Sequence, residues 1–512
     1  MKHRILPLLP FLAAALLVRF QFLLEMDVLL PLEGLYVDEV TFFGTPFVEG
    51  IEGFSRPPGM FVAATLLGAA GSVTAARVLM SVLSLVPALV LFLAFGCRNR
   101  WGRTFSVAMA FSPFLLLFGT QLMPAVPAAV LVSLSLYAAL RNEYLLSGFA
   151  AGAAMLFRAE LAMVPLVLLP LSTGERFRLW GRFAGGSAAA VLPVVVLNLL
   201  AGAGPVIAAN GGENLWLGTD WGLISTPPGT EFEELVSTGD SPGTGDRVFL
   251  GRALDAVSSD PLRWTGMGIS KVAAFLSLPG PGRNFETGWI MKSTFLFALL
   301  PLTLAAMSLG TGCSFGGGEE EYWKRISVSV VMTGVLAAFV FFPSARFRTA
   351  VIPAFWFLAS GCTGSTRRRL LGGAAPAALI VLLSLFHTYP GMERPGLTAV
   401  LAAQHELSTG NLGASFEYLD DAVSRGFRGA DLHNIRGALL SLSGRRVEGL
   451  GEFRRALESA PESPTIWKNL AVSLWSNGLY RESVEAARNA VHLNPLLREE
   501  LAPILVREED LR

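Results

Sequence analysis

The chain has 512 residues, of which 52% are hydrophobic and only 16% charged, and its 40 basic side chains balance its 40 acidic ones. A soluble domain of this length carries about 25% charged residues, so the composition excludes a water-soluble globular protein and points to a membrane protein. Zero net charge removes the basic field that nucleic-acid binding needs.

Taken in chain order, Lys2 and Arg4 hold the N-terminus in the cytoplasm, and residues 5–24 form the first apolar run long enough to cross a bilayer. No small-residue cleavage site follows it, which predicts a signal anchor. The first extracytoplasmic loop, residues 25–75, contains "LYVDEVTFFG" with adjacent acids Asp38 and Glu39. Residues 59–70 follow Pro57-Pro58 and are too short to cross, predicting an interfacial helix. Further crossings are expected near residues 76–95, 104–122 and 126–140. Residues 145–171 carry Arg158 and Glu160 in their middle; two short crossings turning there keep "ERFRLWGR" inside, where the charge rule wants it. Residues 183–200 then lead to a long outer loop, 201–291, and spans at 293–309, 326–342, 351–361 and 370–386 follow. The sum is about eleven crossings, with the C-terminus outside. Cys97, Cys313 and Cys362 fall near cytoplasmic helix ends, so no disulfide is expected.

Residues 397–512 change character and become soluble and helical. "WKNLAVSLWSNGLYRESVEAARNAVHLNP" matches the 34-residue tetratricopeptide pattern at Trp467, Leu470, Gly478, Tyr480, Ala490 and Pro495. Gly410, Gly444 and Gly478 stand 34 apart, as do Ala422, Ala456 and Ala490. Three repeats closed by a capping helix at 497–511 predict an α-solenoid. The fold class is therefore all-α: a polytopic helical bundle over residues 1–390, then a tetratricopeptide domain over 397–512.

The inner loops are short and hold no phosphate-binding glycine motif, so any chemistry belongs to the outer face, and a donor used there is carried by a membrane lipid. The acid pair has two readings. Asp38 and Glu39 either open a helix, favoured by its dipole, or one of them deprotonates an acceptor hydroxyl. Histidines offer no metal cluster: His3 is cytoplasmic, His387 lies at the last span, and His405, His433 and His492 lie in the repeats. Of the tryptophans in the long loop, Trp216, Trp221, Trp264 and Trp289, the interfacial belt is the commoner role and sugar stacking the alternative. Residues 246–278 read as two amphipathic helices broken at Pro261, a lid or interfacial shelf.

The acid pair in the first outer loop, then "SRPPGMF", then "AARVLMSVLSL" opening a span, resembles the GT-C glycosyltransferases, above all bacterial relatives of the protein O-mannosyltransferases and lipid A aminoarabinose transferases. "SARFRTAVIPAF" is similar to the R-Y-R-x-x-x-x-P corner of that group, and "NGGENLWLG", with Asn214, resembles a loop of its repeat-bearing members. The resemblance covers roughly residues 1–390. It implies transfer of a sugar from a polyprenyl-phosphate donor to a protein or envelope-glycan acceptor outside the inner membrane. Asp38 takes the place of the catalytic acid with Glu39 beside it, and Arg56, Arg346 and Arg348 occupy positions that meet the lipid phosphate. Arg158, Glu160 and Asn214 are second candidates, with Arg19 in the first span. Where relatives have a metal-binding glutamate this chain has Ser55, so no metal or other cofactor is assigned. With Asp38 as the base in a single displacement by the acceptor, the anomeric carbon inverts. The alternatives are a non-catalytic scaffold that presents the repeats to envelope partners, and an O-antigen ligase-like transferase. A transporter fits less well, because apart from Arg19 the ionisable residues cluster at span ends.

Overall fold

The computed structural model describes residues 9–27, 56–68, 72–220, 242–278, 294–314, 321–361, 366–386, 396–408, 410–461, 463–493 and 497–506, and every element within them is helical. The chain divides into two compact units: the first holds the described helices up to residue 386, save Asp27, and the second holds the described residues from 396 onward.

The first unit opens with α1 (Leu9–Asp27) and the short α2 (Gly59–Gly68). Next come α3 (Val73–Leu83), capped by Ser72, and α4 (Val86–Leu91), which runs on through a π-helical turn to Gly96. Asn99 caps α5 (Arg100–Ala110), accepting from Gly102 N at 2.6 Å, and Pro113 opens α6 (Pro113–Gly119). α7 (Ala125–Leu140) and α8 (Tyr144–Met155) lead through a 3-10 turn to α9 (Met163–Leu168), then α10 (Arg176–Leu200) and α11 (Gly211–Leu217). α12 (Pro242–Ser259) and α13 (Pro261–Leu276) break at Pro261 as expected, because Asp260 caps Arg263 N and the proline ring lacks the donor a continuous helix needs. α14 (Thr294–Ser314), α15 (Tyr322–Val340), α16 (Ala345–Ser360) and α17 (Thr366–Phe386) complete the unit.

α16 is the core helix. Its residues from Arg348 to Ser360 are all buried, and it packs on α4, α5, α6, α7, α14 and α15. From Ala350 to Ala359 every residue is apolar, and a helix apolar all round belongs in such a place. α8 and α10 meet by the opposite device, small residues. Gly148 and Gly152 of α8 lie against the Phe183 and Ser187 carbonyls, Gly186 of α10 lies against that of Leu145, and a Cβ at any of the three would collide with main chain. That spacing is the G-x-x-x-G solution to helix association where hydrophobic driving force is absent. The far side of α10 leaves Leu192, Val196, Leu197, Leu199 and Leu200 exposed, as a lipid-facing surface requires.

Among the described residues four helical stretches, residues 73–96, 100–119, 176–200 and 322–340, are long and apolar enough to cross a membrane by length and composition. Shorter apolar helices include those over residues 10–23, 125–140, 144–155, 159–171, 298–312 and 370–385. Within the described residues, each segment read from the sequence as a crossing coincides with a helix or helical pair of this unit, and four stretches have the length to cross by themselves.

The second unit consists of helix pairs: α18 (Leu397–Ser408) with α19 (Leu412–Ser424), α20 (Ala430–Leu442) with α21 (Arg446–Ser459), and α22 (Pro464–Ser476) with α23 (Tyr480–Leu493), followed by α24 (Arg498–Leu505). Gly410, Gly444 and Gly478 sit at the three turns with φ of 83°, 83° and 77°, the left-handed region where a Cβ is penalised. Ala422, Ala456 and Ala490 are fully buried where the paired helices cross, and larger side chains there would hold them apart.

Candidate functional site

In the first unit a cleft of about 320 Å³ is lined by residues from five separate stretches of chain. Arg56 and Pro57 come from the lead-in to α2, and Met123 and Pro124 from the α6–α7 turn. Phe157, Arg158, Ala159, Glu160 and Met163 come from the break between α8 and α9, Ala208 to Asn214 from the lead-in and first turn of α11, and Phe341, Phe342, Arg346 and Phe347 from the α15–α16 corner. Five residues singled out in the sequence, Arg56, Arg158, Glu160, Asn214 and Arg346, thus share one cavity.

Chain breaks make this possible. The helix stops at Met155, and Arg158 takes an extended conformation before the 3-10 turn, so two ionisable side chains leave the helical path together. Arg158 Nε donates to Glu160 Oε1 at 2.6 Å, its Nη2 reaches the same oxygen, and the guanidinium lies over the Phe347 ring at 4.1 Å. Stacking and pairing fix the plane of the guanidinium before any ligand arrives. At the opposite corner Phe341 leaves the α15 helical path, and Ser344, accepting weakly from Arg346 N, caps α16. Phe341, Phe342 and Phe347 supply an apolar wall with Met123, Pro124, Phe157 and Met163.

The formal charge of the lining is three guanidinium groups against one carboxylate. Such a surface selects an anion, and the apolar wall selects one that carries hydrocarbon. Asn214 is partly committed, its Nδ2 donating to Asn210 O at 2.8 Å.

The other nominated residues lie elsewhere. Asp38, Glu39 and Ser55 fall outside the described residues. Arg348 does not line the cleft: it is fully buried, donates to the carbonyls of Phe275 and Ser277, and lies against the rings of Phe114 and Phe275. Residues two apart on a helix point about 200° apart, so Arg346 and Arg348 cannot both face one cavity. Arg19 is also buried, donating to Ser84 Oγ at 2.7 Å and the Ala15 and Ala110 carbonyls, and is not in the cleft lining. Trp216 packs on Phe249 and Trp264 on Phe339, both half-buried; Trp221 and Trp289 fall outside the described residues. Among the described residues no group of three His, Cys, Asp or Glu side chains could hold a metal ion.

Two features escaped sequence reading. One is the phenylalanine wall, for which the run "FVFFPSARF" was the available signal. The other is Lys271 of α13, fully buried, whose Nζ donates to Gly218 O at 2.8 Å, Phe341 O at 2.7 Å and Val340 O at 3.3 Å. No side-chain pattern announces a lysine whose partners are all main chain.

No protein-family model matches the chain, and no curated protein matches it. Among solved structures it is similar to the crystal structure of ArnT from Cupriavidus metallidurans bound to undecaprenyl phosphate, at 14% identity over 88% of this chain and 80% of that one, with a TM-score of 0.36. Identity and score are too low for the likeness to decide fold or chemistry, which the cleft's own residues must do.

Proposed function

We propose that the protein is a membrane glycosyltransferase that moves a sugar from a polyprenyl-phosphate donor to a protein or envelope-glycan acceptor on the extracytoplasmic face of the inner membrane. The observation that carries this reading is the convergence of Arg56, Arg158 and Arg346 with an aromatic wall in one cleft. An anion site lined by hydrocarbon suits a phosphate attached to an isoprenoid chain. The early and late arginine motifs of the GT-C resemblance supply two of its three cations.

In the reaction the acceptor hydroxyl gives its proton to the Asp38 carboxylate as its oxygen attacks the anomeric carbon. The bond from that carbon to the phosphate oxygen breaks, and the electron pair leaves with the polyprenyl phosphate. The donor diester carries one negative charge; the departing monoester carries nearly two at pH 7. Guanidinium groups therefore bind the leaving group more strongly than the donor, which is how fixed charge lowers a barrier. Glu39 tunes Asp38, and one displacement inverts the anomeric centre. Glu160 restrains Arg158 and is a second carboxylate able to bond a sugar hydroxyl. The C-terminal helix pairs form a tetratricopeptide array that recruits a protein partner or acceptor.

The test uses the full chain in proteoliposomes with a polyprenyl-phosphate hexose, comparing wild type with Asp38→Asn. Loss of transfer with unchanged expression and melting supports the mechanism. Undiminished transfer would leave only a scaffold that presents repeats. Mass spectrometry of the envelope of a deletion strain should show a missing hexose-sized mass on the acceptor.

A further inference from the structure

We infer that Lys271 is the positioning residue of the cleft, a role that rests on reading the cleft as the lipid-phosphate site. Its ammonium lies where two helices end. Gly218 is the C-terminal cap of α11, the helix that brings Asn210, Gly211 and Asn214 to the cleft. Val340 ends α15, and Phe341, which caps it, stands in the cleft wall. Carbonyls at helix C-termini have no intrahelical donor and carry the negative end of the dipole, so a cation there is favoured twice. An ammonium has three donors and no acceptor, and here each donor has a carbonyl, from both walls of one cavity.

The surroundings leave little slack. A Cβ at Gly218 would fall on the Phe341 carbonyl, so the two segments touch backbone to backbone. On the other side of α11, Gly212 lies as tightly against Asp246 and Leu250, and Asp246 Oδ1 accepts from Glu213 N at 3.0 Å. α11 is thus clamped from both sides, and Lys271 is the charged member of the clamp. Burial pushes its ammonium down to about 7, and the carbonyls, which accept only from donors, oppose that by favouring the protonated form. Without Lys271 three buried carbonyls lose their partner, and the Phe341 wall and the α11 wall are free to part. Asn214 on the one side and Phe341 on the other then lose the fixed spacing on which a ligand site depends.

Arg19 provides the comparison. It too is a buried cation on carbonyls, but it ties α1 to Ser84 and the end of α5 and does not line the cleft. The experiment measures binding of farnesyl phosphate to the purified full chain, well below its melting temperature, for wild type, Lys271→Met, Lys271→Arg and Arg19→Met. Both methionine variants should lower the melting temperature. Only Lys271→Met should weaken binding, by about tenfold or more, since an ångström of misplacement is enough for that. Lys271→Arg should recover most of the loss. Equal binding by Lys271→Met and wild type would overturn the inference, leaving Lys271 a stabilising residue alone. If wild type binds no farnesyl phosphate, the reading of the cleft fails separately, and amide exchange then decides the tie. Faster exchange over residues 214–219 and 339–342 in Lys271→Met supports it, and unchanged exchange there overturns it.

Discussion

Arg346→Gln removes one positive charge from the cleft while keeping a polar, shorter side chain. Arg346 is half-buried on an open cavity, so the effective dielectric constant lies between the surface value and that of water. At 4 Å one guanidinium then attracts one phosphate charge by about 1 to 4 kcal/mol, with about 1.5 kcal/mol a fair value for a partly solvated site. A diester with one charge should lose about tenfold in affinity, and a monoester with nearly two about a hundredfold. The assay is paired titration of farnesyl phosphate and its methyl ester against wild type and variant at fixed salt. The diagnostic quantity is the ratio of the two losses, since a general loosening of the cleft would weaken both ligands alike. Arg348→Met is the control. It removes a cation two residues away that holds the Phe275 and Ser277 carbonyls, so it should lower the melting temperature and leave the ratio at its wild-type value. Equal losses for the two ligands in Arg346→Gln, or a selective loss in Arg348→Met, would refute the electrostatic reasoning.

Product stereochemistry from the purified enzyme should show inversion, and a retained anomer would end the single-displacement scheme. Lys271 should give the site a pH response. With its ammonium pushed down to about 7 in the folded chain, the proton is lost as pH rises through neutrality, and with it the positive charge and one of the three donors of the clamp. Farnesyl phosphate binding should therefore weaken from pH 7 to 9 in wild type and stay flatter in Lys271→Arg, whose guanidinium keeps its charge; parallel profiles would exclude the effect. Gly148→Leu places a side chain on the Phe183 carbonyl and should separate α8 from α10, which loss of a cysteine crosslink engineered between those helices would report. Gly478→Ala meets no neighbouring atom but must hold a φ of 77°, so calorimetry should show the second unit destabilised by about 1 to 2 kcal/mol.

The helices of both units were legible because their causes are local. Proline and asparagine or aspartate caps mark the starts of α5 and α13, and glycines at a 34-residue interval mark the turns of the second unit. The cleft was legible where charge stood out against an apolar background, as with Arg158 and Glu160 at the break after α8. It was illegible where direction mattered. "RFR" shows two arginines but not that two helical steps, about 200° in all, send them to different places. Lys271 in "SKVAAFL" reads as the polar edge of an amphipathic helix, because carbonyl partners are the same atoms in every residue and leave no mark on the sequence.

Arg19, Arg77, Lys271 and Arg348 are all fully buried, and each donates to a carbonyl at the finishing end of another helix. For Arg19 this bears on biogenesis. Its remote acceptors, Ser84 and Ala110, are synthesised 65 and 91 residues after it. An arginine without them is costly at bilayer depth. α1 therefore gains the remote partners of its guanidinium only after α5 has been made.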